Sequence, residues 1–140
     1  TDKIELIIIG GTWSFLPKQY QTWFIKNCFT ACNYYPKKKT KMKPLEKEEK
    51  TNEKAKHRII GLTLETRPDY INKKEILRMR RLGCTRVEIG VQTVFDDILK
   101  LNHRGHTTKE TIRATQLLKD AGFKVCYHLM PNLPGSNLKK

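Results

Sequence analysis

Four short apolar stretches divide this chain, and each stops at a cluster of glycine and polar residues. They cover residues 4–9, 59–64, 87–89 and 125–130, with amphipathic helical segments between them. Continuous apolar strands that alternate with such helices are typical of parallel sheets covered by crossover helices. The sequence therefore predicts an α/β fold with about four parallel strands.

The polar clusters follow the predicted strands directly. They are Gly10-Gly11-Thr12, Glu65 to Asp69, Gly90-Val91-Gln92 and Pro131 to Gly135. Parallel strands end at the same edge of a sheet, and ligands of such sheets bind at that edge. We therefore predict one shared binding site.

Several side chains at these ends suit a small polar ligand. Glu65 and Arg67 stand two residues apart, so both face the same side of the strand, either as a ligand site or as an ion pair. Gln92 offers an amide donor and acceptor. Arg104, in a loop between helical segments, offers a guanidinium that holds a carboxylate through two hydrogen bonds.

Local signals also place the helices. Pro17 and Asn72 predict the starts of the first and second helices, and Thr107 with Glu110 has the spacing of a capping box. In the first helix a stripe with helical spacing is predicted to face the sheet: Tyr20, Phe24, Cys28 and Ala31.

No metal site is predicted. Cys28 and Cys32 lie one helical turn apart, but two thiolates without further ligands hold a metal poorly, so core packing is the favoured interpretation. For His103 and His106 a surface position is favoured. Cys84 and Cys126 are expected to be free thiols, as in a protein of a reducing compartment.

The charge of the chain is strongly positive, with 28 Lys and Arg against 14 Asp and Glu and a net charge of +14. A Lys-rich insert at residues 36–58 holds ten Lys or Arg against four Glu. Such charge favours a polyanionic partner. For the insert, a solvated face with a helix over 45–57 and an exposed turn at 37–39 is favoured over an RNA-binding arm. No stretch reaches the roughly 20 apolar residues that span a bilayer, so a cytoplasmic protein without membrane contact is expected.

Five motifs are more specific. They are residues 10–13 (GGTW), 61–71 (GLTLETRPDYI), 82–93 (LGCTRVEIGVQT), 102–106 (NHRGH) and 128–135 (HLMPNLPG). In this order they resemble the radical S-adenosylmethionine (SAM) core of the catalytic subunit of Elongator, a tRNA-modifying family that includes stand-alone archaeal and bacterial enzymes. The resemblance implies a partial (β/α)6 barrel, of which this chain would form an incomplete part.

The resemblance also implies a reaction. In that family a 4Fe–4S cluster splits S-adenosylmethionine to a 5′-deoxyadenosyl radical, which abstracts hydrogen from the acetyl group of acetyl-CoA. The new carbon radical adds to C5 of the wobble uridine of tRNA and leads to 5-carboxymethyluridine or a derivative. The implied partners are tRNA, acetyl-CoA and, in a eukaryote, other Elongator subunits.

The family's cofactor contacts carry over by motif. Glu65 would meet the amino or ribose end of S-adenosylmethionine, Gln92 the ribose, and Arg104 the methionine carboxylate. The glycine motif Gly10, Gly11 and Thr12 would meet the methionine amino group. The adenine pocket would be lined from the last motif by His128, Met130, Pro131 and Leu133. Arg67 and lysines of the insert are candidates for phosphates of tRNA or acetyl-CoA, and no catalytic residue is assigned.

The chain departs from the family pattern in its cysteines. Family members hold the cluster through three cysteines upstream of the glycine motif, and neither that triplet nor the family's acetyltransferase-like domain occurs here. We therefore expect residues 1–140 to be a partial radical SAM domain that does not cleave S-adenosylmethionine alone. Two alternatives stay open: a non-catalytic basic fragment that binds tRNA, and a coproporphyrinogen-type radical SAM enzyme.

Overall fold

The computed structural model of the chain describes residues 1–37 and 41–137. Its strands form one parallel sheet in the order β1-β2-β3-β4. Their bounds are β1 Lys3–Ile8, β2 Arg58–Thr66, β3 Arg86–Gln92 and β4 Lys124–Leu129. The predicted α/β arrangement of four parallel strands is confirmed.

In the described part of the chain the strands are connected by α-helices, whose bounds are α1 Lys18–Tyr34, α2 Leu45–Asn52, α3 Lys73–Arg81, α4 Asp96–Leu101 and α5 Thr108–Asp120. The Asn72 side chain caps α3 by accepting from the Glu75 amide at 3.0 Å, and α5 begins with the predicted capping box. Among the described residues, no helix has both the length and the apolar character to cross a membrane.

The two faces of the sheet differ in character. The helices cover one face, where the core side chains are buried: Leu62, Leu64, Val87, Ile89, Met79, Leu118 and Ile25 among others. Because side chains alternate along a strand, the opposite face receives the residues between them. That face is polar and carries Glu5, Thr63, Glu65, Arg86, Glu88 and His128. This polar face ends at the binding site that the sequence predicts.

The predicted buried stripe of α1 is confirmed at Phe24, which packs against the core, but it is wrong at Tyr20 and Ala31. Gln21, Ile25 and Phe29 are buried, whereas Tyr20 is 43% exposed and Ala31 is also exposed. Gln21 can take this place because its amide donates to the carbonyls of Trp13 and Leu16 at 2.9 and 3.1 Å. Because the buried face contains a polar residue whose hydrogen bonds are all made, a search for apolar residues at helical spacing does not identify that face.

The Lys-rich insert is only partly a solvated helix. Its helix, α2, ends at Asn52, and its inner face buries Leu45, Glu48 and Asn52 against α1. Asn52 also accepts from the amide of Ile59 at 2.7 Å, which ties the insert to the amino end of β2. Lys37 is exposed, and the rest of the predicted turn at 38–39 lies outside the described residues.

Candidate cofactor site

The carboxyl ends of β1, β2 and β3 surround a polar cavity of about 340 Å³. Glu65, Gln92 and Arg104 all line it, although they come from β2, β3 and the loop after α4. Residues from several of the sequence motifs therefore line the same cavity. The full lining is Gly11, Thr12, Glu65, Thr66, Arg67, Gly90, Gln92, His103, Arg104 and Gly105.

A second cavity of about 670 Å³ adjoins the first, and Gln92 lines both. Its walls are largely apolar and include Met130, Pro131 and Leu133 of the last motif, together with Ile98. The two cavities therefore offer a charged compartment beside an apolar one. This combination suits a ligand with a charged end and a flat apolar end.

Glu65 is anchored to the glycine turn after β1. Its Oε2 accepts from the Gly10 amide at 3.0 Å, and its side chain is 19% exposed. Gly10 and Gly11 have φ values of 107° and 68°, which side chains rarely tolerate. A Cβ at either position would meet no atom within 4 Å, so the turn presents open backbone beside the cavity.

Gln92 ends β3 in a left-handed conformation, with a φ of 70°. The pairing with β4 shifts register between Gly90 and Gln92, as at a β-bulge. A Cβ on Gly90 would lie 2.7 Å from Nε2 of Gln92, so the glycine makes room for this side chain. The sequence interpretation gave Gly90 no such role, and its only signal is a glycine two residues before a polar strand end.

The predicted alternative of an ion pair between Glu65 and Arg67 is wrong. Arg67 instead donates to both oxygens of Asp69, with Nε–Oδ1 at 3.0 Å and Nη2–Oδ2 at 2.8 Å. Pro68 turns the chain so that Asp69 folds back on Arg67. Arg104, by contrast, has no carboxylate partner within the parts of the chain that the structure describes. Among the described residues that line the polar cavity, its guanidinium is a cation without a carboxylate partner.

His128 is not among the lining residues of either cavity. Its imidazole lies between two carboxylates, with Nε2 at 2.6 Å from Oε2 of Glu88 and Nδ1 at 3.4 Å from Oε1 of Glu65. The structure therefore separates His128 from Met130, Pro131 and Leu133, with which the sequence grouped it. Met130 follows the end of β4 at Leu129, so its side chain is not bound to the face of the strand that carries His128.

The cysteines do not gather at this site. Burial raises the pKa values of the Cys28 and Cys32 thiols on α1, and it raises that of Cys84 to about 12. Cys126 is exposed on β4. Within residues 1–37 and 41–137, no group of three or more His, Cys, Asp or Glu is arranged to hold a metal ion. The four cysteines therefore do not fit the three-thiolate set of an iron–sulfur cluster.

Comparison with known proteins identifies the family of the chain. Residues 4–140 match the radical SAM superfamily. The chain belongs to this superfamily. The radical SAM match includes every residue that lines the two cavities.

Individual relatives agree with this assignment. A tRNA uridine(34) acetyltransferase of Methanocaldococcus infernus is 55% identical over 139 residues, which are 99% of this chain and 25% of that protein. Elongator complex protein 3 of Homo sapiens is 40% identical over 139 residues, 99% of this chain and 24% of that protein. The radical SAM chain spans about a quarter of the length of these curated relatives.

A solved structure extends the similarity to the fold. It is the archaeal Methanocaldococcus infernus Elp3 with an N-terminal deletion of residues 1–46, and it superposes with a TM-score of 0.92 at 55% identity. The superposition covers 99% of this radical SAM chain and 32% of the solved chain. Sequence and fold together confirm the resemblance to the Elongator catalytic subunit family.

Proposed function

We propose that this chain forms the S-adenosylmethionine-binding part of a radical SAM enzyme that modifies the wobble uridine of tRNA. The observation that carries the proposal is the convergence of Glu65, Gln92 and Arg104 on one cavity. These three residues come from distant parts of the sequence and have different chemical groups. Their meeting point matches a ligand with an amino group, a ribose and a carboxylate.

The polar cavity fits the amino acid end of S-adenosylmethionine. Arg104 has no carboxylate partner in the described chain, so its guanidinium is available for the ligand's carboxylate. Glu65 supplies the opposite charge for the amino group, beside the open backbone of Gly10 and Gly11. Thr12 adds a hydroxyl to the same wall.

The apolar cavity fits the adenine end. Met130, Pro131 and Leu133 offer a largely apolar wall for a flat ring. Gln92 lines both cavities, so its amide is placed for the ribose hydroxyls between the two ends of the ligand.

The proposed reaction follows the relatives. When it is bound to a reduced 4Fe–4S cluster, S-adenosylmethionine supplies hydrogen-abstracting radical chemistry. We infer that the whole enzyme uses acetyl-CoA as co-substrate and places a carboxymethyl group at C5 of the uridine, in the cytoplasm and, in a eukaryote, with other Elongator subunits. Because the four cysteines do not fit the cluster, we expect no 5′-deoxyadenosine from this chain alone after reconstitution with iron and sulfide.

The binding proposal is tested by isothermal titration of the chain with S-adenosylmethionine. Arg104→Ala removes a charge-assisted contact to the ligand's carboxylate, and we expect at least about tenfold weaker binding. The matched control is Arg113→Ala, because Arg113 is exposed on α5 and lines neither cavity. It is expected to bind like the wild type.

Two other results would change the assignment. Equal binding by the wild type and Arg104→Ala would remove Arg104 from the site. A wild-type chain that binds tRNA in a salt-dependent way but never binds S-adenosylmethionine would instead be a basic tRNA-binding module, the function that the net charge of +14 favours. The coproporphyrinogen-type alternative is disfavoured by the Elongator names of the relatives.

A further inference from the structure

Two carboxylates lie side by side on the polar face of the sheet. Glu65 of β2 and Glu88 of β3 are register partners on neighbouring strands. Their side chains are 19% and 10% exposed. Like charges directly opposite each other on a sheet are destabilising, and limited exposure to water increases the repulsion. This pair therefore needs a polar group between the two carboxylates.

His128 of β4 lies within reach of both carboxylates. Its Nε2 is 2.6 Å from Oε2 of Glu88, and its Nδ1 is 3.4 Å from Oε1 of Glu65. A protonated imidazole donates from both nitrogens, whereas a neutral one donates from a single nitrogen. Nε2 donates to Glu88, and Nδ1 lies beside Glu65, so the ring stands between the two carboxylates.

The contacts continue on both sides of this trio. Beyond Glu65, its other oxygen accepts from the Gly10 amide at 3.0 Å, at the wall of the polar cavity. Beyond Glu88, Arg86 Nε lies 3.7 Å from Oε1 of that residue. Arg86 Nη2 also donates to Oε1 of Glu5 at 2.8 Å. The orientation of the glycine turn is therefore connected to charges on four strands.

We propose that His128 is a positioning residue, which holds Glu65 against the Gly10 amide by lying between the carboxylates of Glu65 and Glu88. The proposal rests on the proposed function in one respect, because it takes Glu65 to meet S-adenosylmethionine. It assigns His128 a different task from that of the adenine wall. Both ring nitrogens face carboxylates, so neither is directed at a ligand in the two cavities.

The test is a double-mutant cycle with His128→Ala, Glu88→Gln and the double variant. His128→Ala removes the ring that stands between two facing carboxylates, and we expect S-adenosylmethionine to bind about five- to tenfold more weakly. Adding Glu88→Gln removes one of the charges, so the double variant is expected to recover at least about half of that loss on a logarithmic scale. A His128 that served only as a wall of the cofactor pocket would give no recovery.

A second readout needs no cofactor. The amide resonance of Gly10, assigned in a 1H–15N spectrum of the free chain, is expected to move in His128→Ala and to return toward its wild-type position in the double variant. His57→Ala is the control, since His57 lies at the amino end of β2, where its Nδ1 is 2.5 Å from the carbonyl of Thr1. It is expected to leave both the resonance and the binding unchanged.

His128→Gln provides a variant that keeps a donor if His128→Ala does not fold. Its amide reaches a carboxylate without adding charge, so we expect a smaller displacement of the Gly10 resonance in the same direction. An unmoved Gly10 resonance in folded His128 variants, or an absence of recovery with Glu88→Gln, would overturn the positioning role. A wild-type chain that does not bind S-adenosylmethionine would refute the proposed function, and the Gly10 resonance would still decide the role of His128.

Discussion

At the residue scale, backbone strain is concentrated where the two cavities meet. Gln92 has a φ of 70°, and a non-glycine residue holds this conformation only when its surroundings impose it. Here the carbonyl of Gln92 accepts from the Met130 amide at 2.8 Å, which ties the end of β3 to the loop after β4. The strained residue therefore connects the walls of both cavities.

Gly105 lies so close to the Arg67 side chain that a substitution there tests the packing of the polar cavity. A Cβ at this position would lie 2.0 Å from Nη2 of Arg67. Gly105→Ala must displace that guanidinium from Asp69, which costs about 0.5–1 kcal/mol for a partly exposed pair. We also expect S-adenosylmethionine to bind several-fold more weakly, because Arg104 precedes Gly105 in the same loop. Urea unfolding and calorimetric titration measure the two effects.

The double variant with Arg67→Ala is the control for that mechanism. It removes the displaced group, so Gly105→Ala should then cause no further loss of binding. Gly61→Ala is a second control, because its Cβ would meet only the flexible Glu5 side chain at 3.3 Å. A loss in the double variant equal to the sum of the single losses would show that Gly105 acts independently of Arg67.

Glu49 predicts how stability depends on pH. Burial, followed by the nearby carboxylate of Glu46, raises the pKa of Glu49 from 4.5 to about 7. The folded state then binds more protons at Glu49 than the unfolded state between these values, so the contribution of Glu49 to stability is largest below pH 4.5 and is lost as the pH rises to about 7. Since Glu49 is partly exposed, screening limits the effect to about 1 kcal/mol.

Urea unfolding between pH 4.5 and 7.5 checks this prediction. Glu49→Gln is expected to be more stable than the wild type at pH 7.5 and to lose the part of the pH dependence that Glu49 causes. Glu53→Gln is a control on the residue that follows α2 and is exposed. A Glu49→Gln variant with an unchanged pH profile would contradict the sign worked out here.

At the element scale, a buried polar network holds α2 against α1. Glu48 is fully buried and accepts from Nδ2 of Asn33 and from the Lys43 amide, both at 2.9 Å. Asn52 Nδ2 in turn donates to Oδ1 of Asn33 at 2.8 Å. A buried carboxylate is tolerated when donors surround it, and here those donors come from both ends of the connection between the helices.

Glu48→Ala should release α2 from α1. The change removes two hydrogen bonds to a buried carboxylate, and we expect a loss of about 2–3 kcal/mol in the free energy of unfolding. Limited trypsin digestion should then cut faster between residues 43 and 56, as read by mass spectrometry. Glu46→Ala is the matched control, because Glu46 is the exposed glutamate one position before Lys47 in the same helix. Equal cleavage of the two variants would show that the network does not hold the helix.

At the scale of the whole molecule, the Lys-rich insert lies far from the cavities. Its helix is tied to the amino end of β2, whereas the cavities lie at the carboxyl ends. The 17 residues of α1 separate the two ends by roughly 25 Å at 1.5 Å per residue. The insert lysines that the structure describes are therefore not placed beside the carboxyl ends of the strands, and any contact they make with tRNA is separate from cofactor binding.

The insert still presents a basic groove, which Lys43, Lys47 and Lys50 line. If the groove binds the tRNA backbone, reversing all three charges to Glu should make the slope of log affinity against log salt shallower by about 2. A control triple changes Lys73, Lys109 and Lys119, which are exposed on α3 and α5. We expect a smaller change from the scattered control. Equal slopes for the two triples would assign the binding to net charge alone.

The sequence by itself determined the parallel α/β fold, the helix starts at Asn72 and Thr107, and the meeting of Glu65, Gln92 and Arg104 at one edge. The helix starts follow from local hydrogen bonding, and the meeting of Glu65 and Gln92 follows from the rule that parallel strands end together. Arg104, in the loop after α4, was placed with them by the family resemblance. Their roles in cofactor binding stay predictions.

Only the tertiary structure decided the partners of individual side chains. Gln21 replaced Tyr20 in the buried face of α1, Arg67 paired with Asp69, and His128 turned from the apolar cavity to two carboxylates. The position of the insert at the amino ends was equally invisible in the sequence. Such choices depend on atoms that come from distant segments, and the spacing of residues along the chain carries no record of those distances.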